Sequence, residues 1–260
     1  MANSSSNEHL WFKTYHPRPF AKYQVFIFPS AGNPGSYFRE WDRQFPEYEF
    51  SLIIYPGRAT RSNENLITSI AEYLKQLDKG LVPFINKPCV FIGHSLGCVI
   101  SFALAKHMIE TNNKGNLIRL MIQMARGPPH IKVPYKSFTE MTDTELANDL
   151  RNMADPSTKH IYDYPEYIEM LLPILRADGQ VGYELIEKTQ LNIPIIVYGG
   201  DKDTNREPLL HSWIELTTAE DLFRVRMFSG HHHFPSENAV QVLQYLKEDI
   251  NNFVKNSNNN

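Results

Sequence analysis

Residues 89–98, which read CVFIGHSLGC, constrain the fold more than any other part of the chain. They place the motif Gly93-x-Ser95-x-Gly97 between an apolar run that predicts a strand and a stretch, Leu96–Ile109, whose apolar spacing predicts a helix. A tight turn from strand to helix holds its serine in a strained backbone conformation with the hydroxyl exposed. The flanking positions are glycines because side chains there would collide with the adjacent strand or helix. This context indicates a serine nucleophile.

Short apolar runs alternate with helical patterns along most of the chain. Most runs are apolar throughout, which is typical of parallel strands covered on both faces. The predicted strands are Gln24–Phe28, Phe50–Tyr55, Cys89–Ile92, Ile118–Gln123, Ile193–Tyr198 and Phe223–Phe228. The helices predicted between and after them are Ile67–Leu77, Leu96–Ile109 and Glu237–Val254. The sequence therefore predicts one α/β domain over residues 1–260, with the α/β-hydrolase fold: a mostly parallel central sheet flanked by helices.

Residues 127–190 interrupt this alternation. The interval has no convincing strand but contains two helical patterns, Asp143–Met153 and Pro165–Leu175. Thr142 with Glu145 three residues later has the spacing of a capping box at the start of the first helix. We interpret the interval as a helical lid insertion over the site, and the alternative is a plain pair of helices that cover the sheet.

A seryl nucleophile needs a general base, and the base needs a carboxylate that orients it. In this fold the three residues follow in the order serine, acid, histidine. The predicted strand Ile193–Tyr198 runs into a loop with two candidate acids, Asp201 and Asp203. The last predicted strand is followed by three adjacent histidines at 231–233, one of which is expected to be the base. Spacing alone leaves both choices open.

The tetrahedral intermediate of acyl transfer needs N–H donors for its oxyanion. The backbone N–H of Leu96, at the start of the predicted helix, is one candidate. The second is the N–H of Ala31, in the loop after the first core strand, where glycine and proline suit a backbone held close to the acyl carbonyl. The three histidines point in different directions and have no Cys/His partner pair at ligand spacing, so we expect no metal and no cofactor.

Composition excludes several classes of partner. A net charge of −3 and a pI of about 6.4 do not suggest a surface for nucleic acid or anionic membrane. No apolar run approaches the ~20 residues of a membrane span, and the polar N-terminus does not resemble a signal peptide. Cys89 and Cys98 are expected to be buried reduced thiols. We therefore expect a cytoplasmic monomer, with flexible segments over residues 1–20 and 255–260.

Seven segments together resemble the type II thioesterases that accompany nonribosomal peptide and polyketide synthases, a family of α/β hydrolases. Their order and spacing cover about residues 23–250, and the Pro-Gly-Arg-x-x-Arg and Leu-Pro-x-Leu-Arg-Ala-Asp motifs are the more specific ones. The segments are Phe28-Pro-Ser-Ala-Gly32, Tyr37-Phe-Arg-Glu-Trp41, Tyr55-Pro-Gly-Arg-Ala-Thr-Arg61, Gly93-His-Ser-Leu-Gly97, Leu172-Pro-Ile-Leu-Arg-Ala-Asp178, Gly200-Asp-Lys-Asp203 and Gly230-His-His-His-Phe234.

The resemblance implies hydrolysis of acyl groups from the phosphopantetheine thiol of an acyl or peptidyl carrier protein, to clear stalled or mis-primed chains. The family's pattern places the acid on Asp203 and the base on His232. It gives Arg176-Ala177-Asp178 in the lid a structural role. Three departures stand out. Gly32-Asn33-Pro34-Gly35 replaces the family's double glycine in the oxyanion loop, and Leu96 replaces the usual methionine after the nucleophile. Ala154-Asp155 replaces a common Gly-Gly in the lid, which bears on substrate size more than on reaction type.

Three alternatives stay open at the level of sequence. A medium-chain acyl-carrier-protein hydrolase of fatty-acid synthesis differs mainly in lid and pocket. A carboxylesterase or lipase uses the same triad, although the chain lacks the His-Gly-Gly-Gly type of oxyanion loop common among them. A non-catalytic binding protein of the same fold is disfavoured because all three triad positions are filled.

Overall fold

The computed structural model describes residues 9–111, 114–132, 136–154, 159–204 and 207–256. Within them one seven-stranded sheet has the order β1-β3-β2-β4-β5-β6-β7. All neighbouring strands run parallel except β1, which is antiparallel to β3 at the sheet edge. The strands are β1 Phe12–Lys13, β2 Tyr23–Phe28, β3 Tyr48–Ile53, β4 Cys89–His94, β5 Ile118–Met124, β6 Ile195–Gly200 and β7 Arg224–Phe228.

Helices cover both faces of the sheet. In the described residues the α-helices are α1 Ile70–Gly80, α2 Leu96–Thr111, α3 Asp143–Met153, α4 Pro165–Tyr183, α5 Glu207–His211, α6 Phe234–Glu237 and α7 Ala239–Asn256. Short 3₁₀ segments lie at Ser36–Phe38, Trp41–Gln44, Ala59–Arg61, Val82–Phe84, Gly115–Leu117, Lys159–Asp163, Ser212–Leu216 and Glu220–Leu222. None of the described helices is long and apolar enough to cross a bilayer.

The strands are apolar throughout because each face of the sheet is part of a separate core layer. Successive side chains of a strand point to opposite faces. Phe26 of β2 and Phe91 of β4 therefore pack in the layer that contains α1 and α2. Their neighbours Val25 and Val90 pack in the layer that contains α7.

The insertion over residues 127–190 has the two predicted helices. The capping box is present: the Thr142 hydroxyl accepts from the Glu145 N–H, and the Glu145 carboxylate accepts from the Thr142 N–H. Apolar side chains of α3 and of the first half of α4 form a separate small core that also contacts Ala31. The second half of α4 belongs to the main core through the buried Val181. One part of the interval therefore has its own small core, and another part packs into the main core.

Helix α4 continues to Tyr183, eight residues beyond the predicted end at Leu175. Gly179 and Gly182 weaken the helical signal in the sequence, because glycine is a poor helix former. In the structure Gly179 allows close packing, since a Cβ there would lie 2.7 Å from Phe138, whereas a Cβ at Gly182 would make an ordinary contact, 3.4 Å from Leu96. Tertiary packing thus outweighs local propensity here.

The chain ends differ from the expected flexible segments. Residues 9–20 contain β1, and Trp11 is 3% exposed beneath the guanidinium of Arg61. Two residues are too short for a periodic signal, so the sequence does not predict this strand. Helix α7 extends to Asn256. Residues 1–8 and 257–260 lie outside the described residues.

Candidate active site

The predicted site residues follow four different strands at one edge of the sheet. Ala31 follows β2, Ser95 follows β4, Asp203 follows β6 and His232 follows β7. These strands are mutually parallel, so their carboxyl ends lie at the same edge. The fold therefore brings together side chains up to about two hundred positions apart in sequence, as expected for an open α/β sheet.

Ser95 has the strained conformation that the motif predicts. Its φ is +54°, in the left-handed region that a residue with a Cβ rarely adopts. Its N–H donates to the Met124 carbonyl at 2.9 Å, and its own carbonyl accepts from the Cys98 N–H at 3.0 Å. A Cβ at Gly93 would lie 2.7 Å from the Cys98 backbone, and one at Gly97 would overlap the carbonyl oxygen of Phe28. Both glycines are thus required sterically.

His232 and Asp203 form a buried pair. Nδ1 of His232 lies 3.0 Å from Oδ2 of Asp203, and the two side chains are 12% and 1% exposed. Asp203 also contacts the hydroxyl of Thr204 at 3.2 Å. A carboxylate at Nδ1 favours the tautomer in which Nδ1 carries the proton and leaves Nε2 free to accept one.

The neighbouring acids and histidines have other contacts. Asp201 is exposed and accepts from the Gly230 N–H at 2.9 Å, which braces the loop after β7. His231 contacts Glu237 through both its N–H and its Nδ1, at 3.0 and 3.1 Å. His233 lies against the ring of His94, with centroids 5.5 Å apart. In the part of the chain that the structure describes, no three His, Cys, Asp or Glu side chains are grouped to hold a metal ion.

His94, beside Ser95, makes packing and hydrogen-bonding contacts. It is fully buried, and its Nε2 donates to the His232 carbonyl at 2.9 Å. Nδ1 is then the acceptor for the Tyr37 hydroxyl at 2.7 Å. Burial, together with the neighbouring histidines, lowers the pKa of His94 well below its ordinary value of 6.5. A neutral ring therefore supports the backbone of the loop that carries His232.

Ala31 and Leu96 each present a backbone N–H without a protein acceptor. Within the described residues neither N–H donates a hydrogen bond, and both residues line the same cavity as Ser95. The loop that carries Ala31 turns through Gly32 and Gly35, whose φ angles are +66° and +74°. The side chain of Asn33 accepts from the Gly35 N–H at 2.7 Å, so this departure from the family's double glycine closes a turn.

A buried ion pair holds this loop to the insertion. Two nitrogens of Arg58 contact the two oxygens of Asp178 at 2.5 and 2.7 Å, with side chains 5% and 0% exposed. Oδ2 of Asp178 also accepts from the Gly32 N–H at 2.8 Å. The sequence singles out both motifs that supply this pair, but it does not show that they meet, because they are 120 residues apart.

The cavity beside Ser95 has a volume of about 110 Å³. Its floor is formed by Ser95, Leu96 and His232, and the insertion supplies most of the remaining wall. The other lining residues are Ala31, Arg126, Phe138, Met141, Asp149, Met153, Asp178, Gly179, Gly182, Tyr183 and Thr204. The sequence analysis does not identify Asp149 as a residue of the site, since its position in α3 carries no motif.

A strained serine between β4 and α2, at the carboxyl edge of a largely parallel sheet, defines the chain as a serine hydrolase of the α/β-hydrolase fold. Its sequence matches the thioesterase domain over residues 23–250. The chain therefore belongs to the thioesterase family, and its activity is the hydrolysis of thioesters. The family and fold predicted from the sequence are confirmed.

Individual relatives agree with this assignment. The chain is 30% identical to the gramicidin S biosynthesis protein GrsT of Aneurinibacillus migulanus over 244 residues, covering 92% of this chain and 93% of GrsT. It is 25% identical to the medium-chain S-acyl fatty acid synthase thioesterase of Rattus norvegicus, covering 98% and 93%. The type II thioesterase BorB from the borrelidin biosynthetic cluster has the same fold, with a TM-score of 0.77, 24% identity and coverage of 94% and 97%.

Proposed function

We propose that this enzyme hydrolyses acyl or peptidyl groups from the phosphopantetheine thiol of carrier proteins in nonribosomal peptide or polyketide synthesis. Ser95, His232 and Asp203 are its triad. The observation that carries the proposal is the cavity that Ser95 and His232 line together, with Asp203 hydrogen-bonded behind the histidine. The 30% identity to a gramicidin S biosynthesis protein supports the synthase context.

The first half of the reaction transfers the acyl group to Ser95. Nε2 of His232 accepts the hydroxyl proton as Oγ attacks the thioester carbonyl, and Asp203 stabilises the imidazolium that forms. The N–H groups of Ala31 and Leu96 donate to the oxyanion of the tetrahedral intermediate. The C–S bond then breaks, and the thiolate takes the proton from His232.

The second half returns the enzyme to its starting state. His232 accepts a proton from water as the water oxygen attacks the acyl-Ser95 carbonyl. The same two N–H groups stabilise the second oxyanion, and the bond to Oγ breaks as His232 returns the proton to Ser95. The products are a carboxylic acid and the carrier's free thiol.

In this proposal residues 127–190 act as a lid. Helices α3 and α4 supply lining residues of the cavity, and their small core touches Ala31 of the oxyanion loop. A thioester on a flexible arm would enter under this lid. The reduced, buried thiols of Cys89 and Cys98 are consistent with the cytoplasm, where carrier proteins and their thiols remain reduced.

A second candidate function is hydrolysis of medium-chain acyl groups from the carrier protein of fatty-acid synthesis. The coverage of almost the whole chain by the rat medium-chain thioesterase favours it. The two functions use the same triad and differ in the acyl group and in the carrier protein. Comparing the substrates therefore separates them.

The test is a comparison of kcat/KM for one acyl group on three leaving groups: a carrier protein, coenzyme A and a simple alcohol. The proposal expects the carrier-bound thioester to be hydrolysed fastest, because the carrier protein is the proposed partner. The ester should be hydrolysed slowest, because a thiolate is a better leaving group than an alkoxide. Carrier proteins from peptide and fatty-acid synthases, loaded alike, distinguish the two candidates. Equal rates on the ester and the thioester contradict the proposal. Ser95→Ala serves as the inactive control.

A further inference from the structure

The carboxylate of Asp149, on helix α3 of the insertion, lies at the active-site cavity. Asp149 lies in α3 one turn before Met153, and both side chains line the cavity with Ser95 and His232. Positions four apart lie on the same helix face. The adjacent Leu146 and Leu150 are buried in the small core of the insertion. Asp149 is thus a charged residue at the inward-facing side of an amphipathic helix.

Two of the other titratable side chains that line the cavity are already paired. Asp178 is neutralised by its bidentate contact with Arg58. His232 is held by Asp203 through Nδ1. These groups contribute little free charge for recognising a ligand.

Arg126 is held in place by contacts with α4, although its charge has no carboxylate partner and its Nε has no hydrogen bond among the described residues. Its guanidinium donates to the Gly182 carbonyl and lies over the Tyr183 ring, 5.4 Å from the centroid. Asp149, by contrast, makes no hydrogen bond or ion pair with any residue that the structure describes. Burial raises the pKa of the Asp149 carboxyl, and the nearby His232 partly opposes this effect. A half-buried carboxylate with no partner is costly, so a cation that pairs with it is favoured.

We infer that Asp149 selects acyl groups that carry a protonated amine, so that aminoacyl thioesters are preferred to plain fatty acyl thioesters. The inference rests on the proposed function and adds the charge of the acyl group to it. An amine on the carbon next to the thioester carbonyl stays close to the reacting centre. Asp149 lines the same cavity as that centre and supplies the opposite charge.

The apolar residues that line the cavity select the side chain of the acyl group. Leu96, Phe138, Met141 and Met153 give the cavity a largely apolar lining around the single unpaired carboxylate. A side chain without charge fits this surface, while the amine pairs with Asp149. The expected substrate class is therefore an aminoacyl thioester with an apolar side chain and a free α-amine.

The test uses two N-acetylcysteamine thioesters that differ only in the amine, leucyl and 4-methylpentanoyl. The measured quantity is the ratio of their kcat/KM values, at a pH where the amine is protonated. Because both substrates use the same triad, the ratio cancels any effect on Ser95 or His232. Asp149→Asn should lower the ratio about ten- to hundredfold, through a slower leucyl reaction. Asp149→Leu, which suits the inward face of α3, should give the same loss.

Glu169→Gln is the matched control, since Glu169 is an exposed acid on α4 of the same insertion. The ratio of the two kcat/KM values in this variant should equal that of the wild type. An unchanged ratio in both Asp149 variants overturns the inference. So does an equal fall on both substrates, which means that Asp149 acts through His232 or the fold. If the wild type hydrolyses no thioester, the proposed function fails. If it hydrolyses carrier-bound thioesters but the Asp149 variants leave the leucyl to 4-methylpentanoyl ratio unchanged, this inference alone fails.

Discussion

The backbone N–H of Gly32 donates to Oδ2 of Asp178 at 2.8 Å, which joins the loop after β2 to helix α4 of the insertion. The acceptor is fixed in turn by Arg58, in the loop after β3. Gly32 directly follows Ala31, which lines the cavity and is the proposed oxyanion donor. The position of the proposed oxyanion donor therefore depends on a carboxylate that lies 146 residues further along the chain.

Asp178→Asn should reduce both stability and turnover. Removing one partner of a buried ion pair leaves the other charge uncompensated, which costs about 3–5 kcal/mol of unfolding free energy. A displaced oxyanion donor should lower kcat about ten- to hundredfold with a smaller change in KM. Urea unfolding and steady-state kinetics on one thioester measure the two effects.

Two further variants separate these effects. Arg58→Met combined with Asp178→Leu removes both charges and should recover most of the stability. It leaves the Gly32 N–H without its acceptor, so kcat should stay low; full activity in this variant contradicts a positioning role. Asp143→Asn is the control, because Asp143 forms an exposed ion pair with Arg176 in the same insertion and should change neither quantity appreciably.

Replacing Ser95 should separate chemistry from folding. Ser95→Ala and Ser95→Gly both remove the hydroxyl that is the proposed nucleophile and should abolish turnover. The residue has a φ of +54°, a conformation that costs a residue with a Cβ about 1–2 kcal/mol more than glycine. Ser95→Gly should therefore be more stable than Ser95→Ala by about 1 kcal/mol, measured by urea unfolding. Turnover above trace level in either variant excludes Ser95 as the nucleophile.

Neighbouring residues provide matched pairs for the base and the acid. His232→Ala should lower kcat by orders of magnitude, while His231→Ala and His233→Ala should cost far less. Asp203→Asn should lower kcat about 10³- to 10⁴-fold, since its amide favours the wrong tautomer of His232. Asp201→Asn changes an exposed acid two residues away and should have a small effect. A larger loss of kcat in His231→Ala or His233→Ala than in His232→Ala would assign the base to that histidine. A larger loss in Asp201→Asn than in Asp203→Asn would assign the acid to Asp201.

The sequence predicts the local features of this molecule well and the long-range ones poorly. The strands and the turn at Ser95 follow from neighbouring residues, so their positions agree to within a few residues. Strand β1 is missed because a two-residue edge strand has no periodicity. The contact of Gly32 with Asp178 and the place of Asp149 in the cavity depend on how the insertion folds back over the sheet. A single sequence carries no signal for that geometry.

Cys98 lies behind the nucleophile and should be chemically inert in the native enzyme. Its thiol contacts the carbonyls of Gly93 and Met124, and burial raises its pKa to about 12. Burial likewise raises the pKa of the Cys89 thiol. Because the thiolate is the reactive species, neither cysteine should react with iodoacetamide until the protein unfolds. Mass spectrometry before and after denaturation checks this, and rapid labelling of the native enzyme contradicts the burial described.

His94 should make stability depend on pH below about 6.5, its unfolded-state pKa. Burial lowers the pKa of His94 in the folded protein, so between the two pKa values the unfolded chain binds the extra proton. Neutral His94 therefore contributes its full share of the unfolding free energy above the unfolded pKa. This contribution is lost as pH falls, by up to about 1.4 kcal/mol per pH unit.

His94→Gln keeps an N–H donor for the His232 carbonyl but does not titrate. Urea unfolding between about pH 7.5 and 5.5 should show a shallower decline in His94→Gln than in the wild type. His211→Gln, at an exposed histidine, should decline as the wild type does, and equal slopes in all three proteins contradict a buried neutral His94.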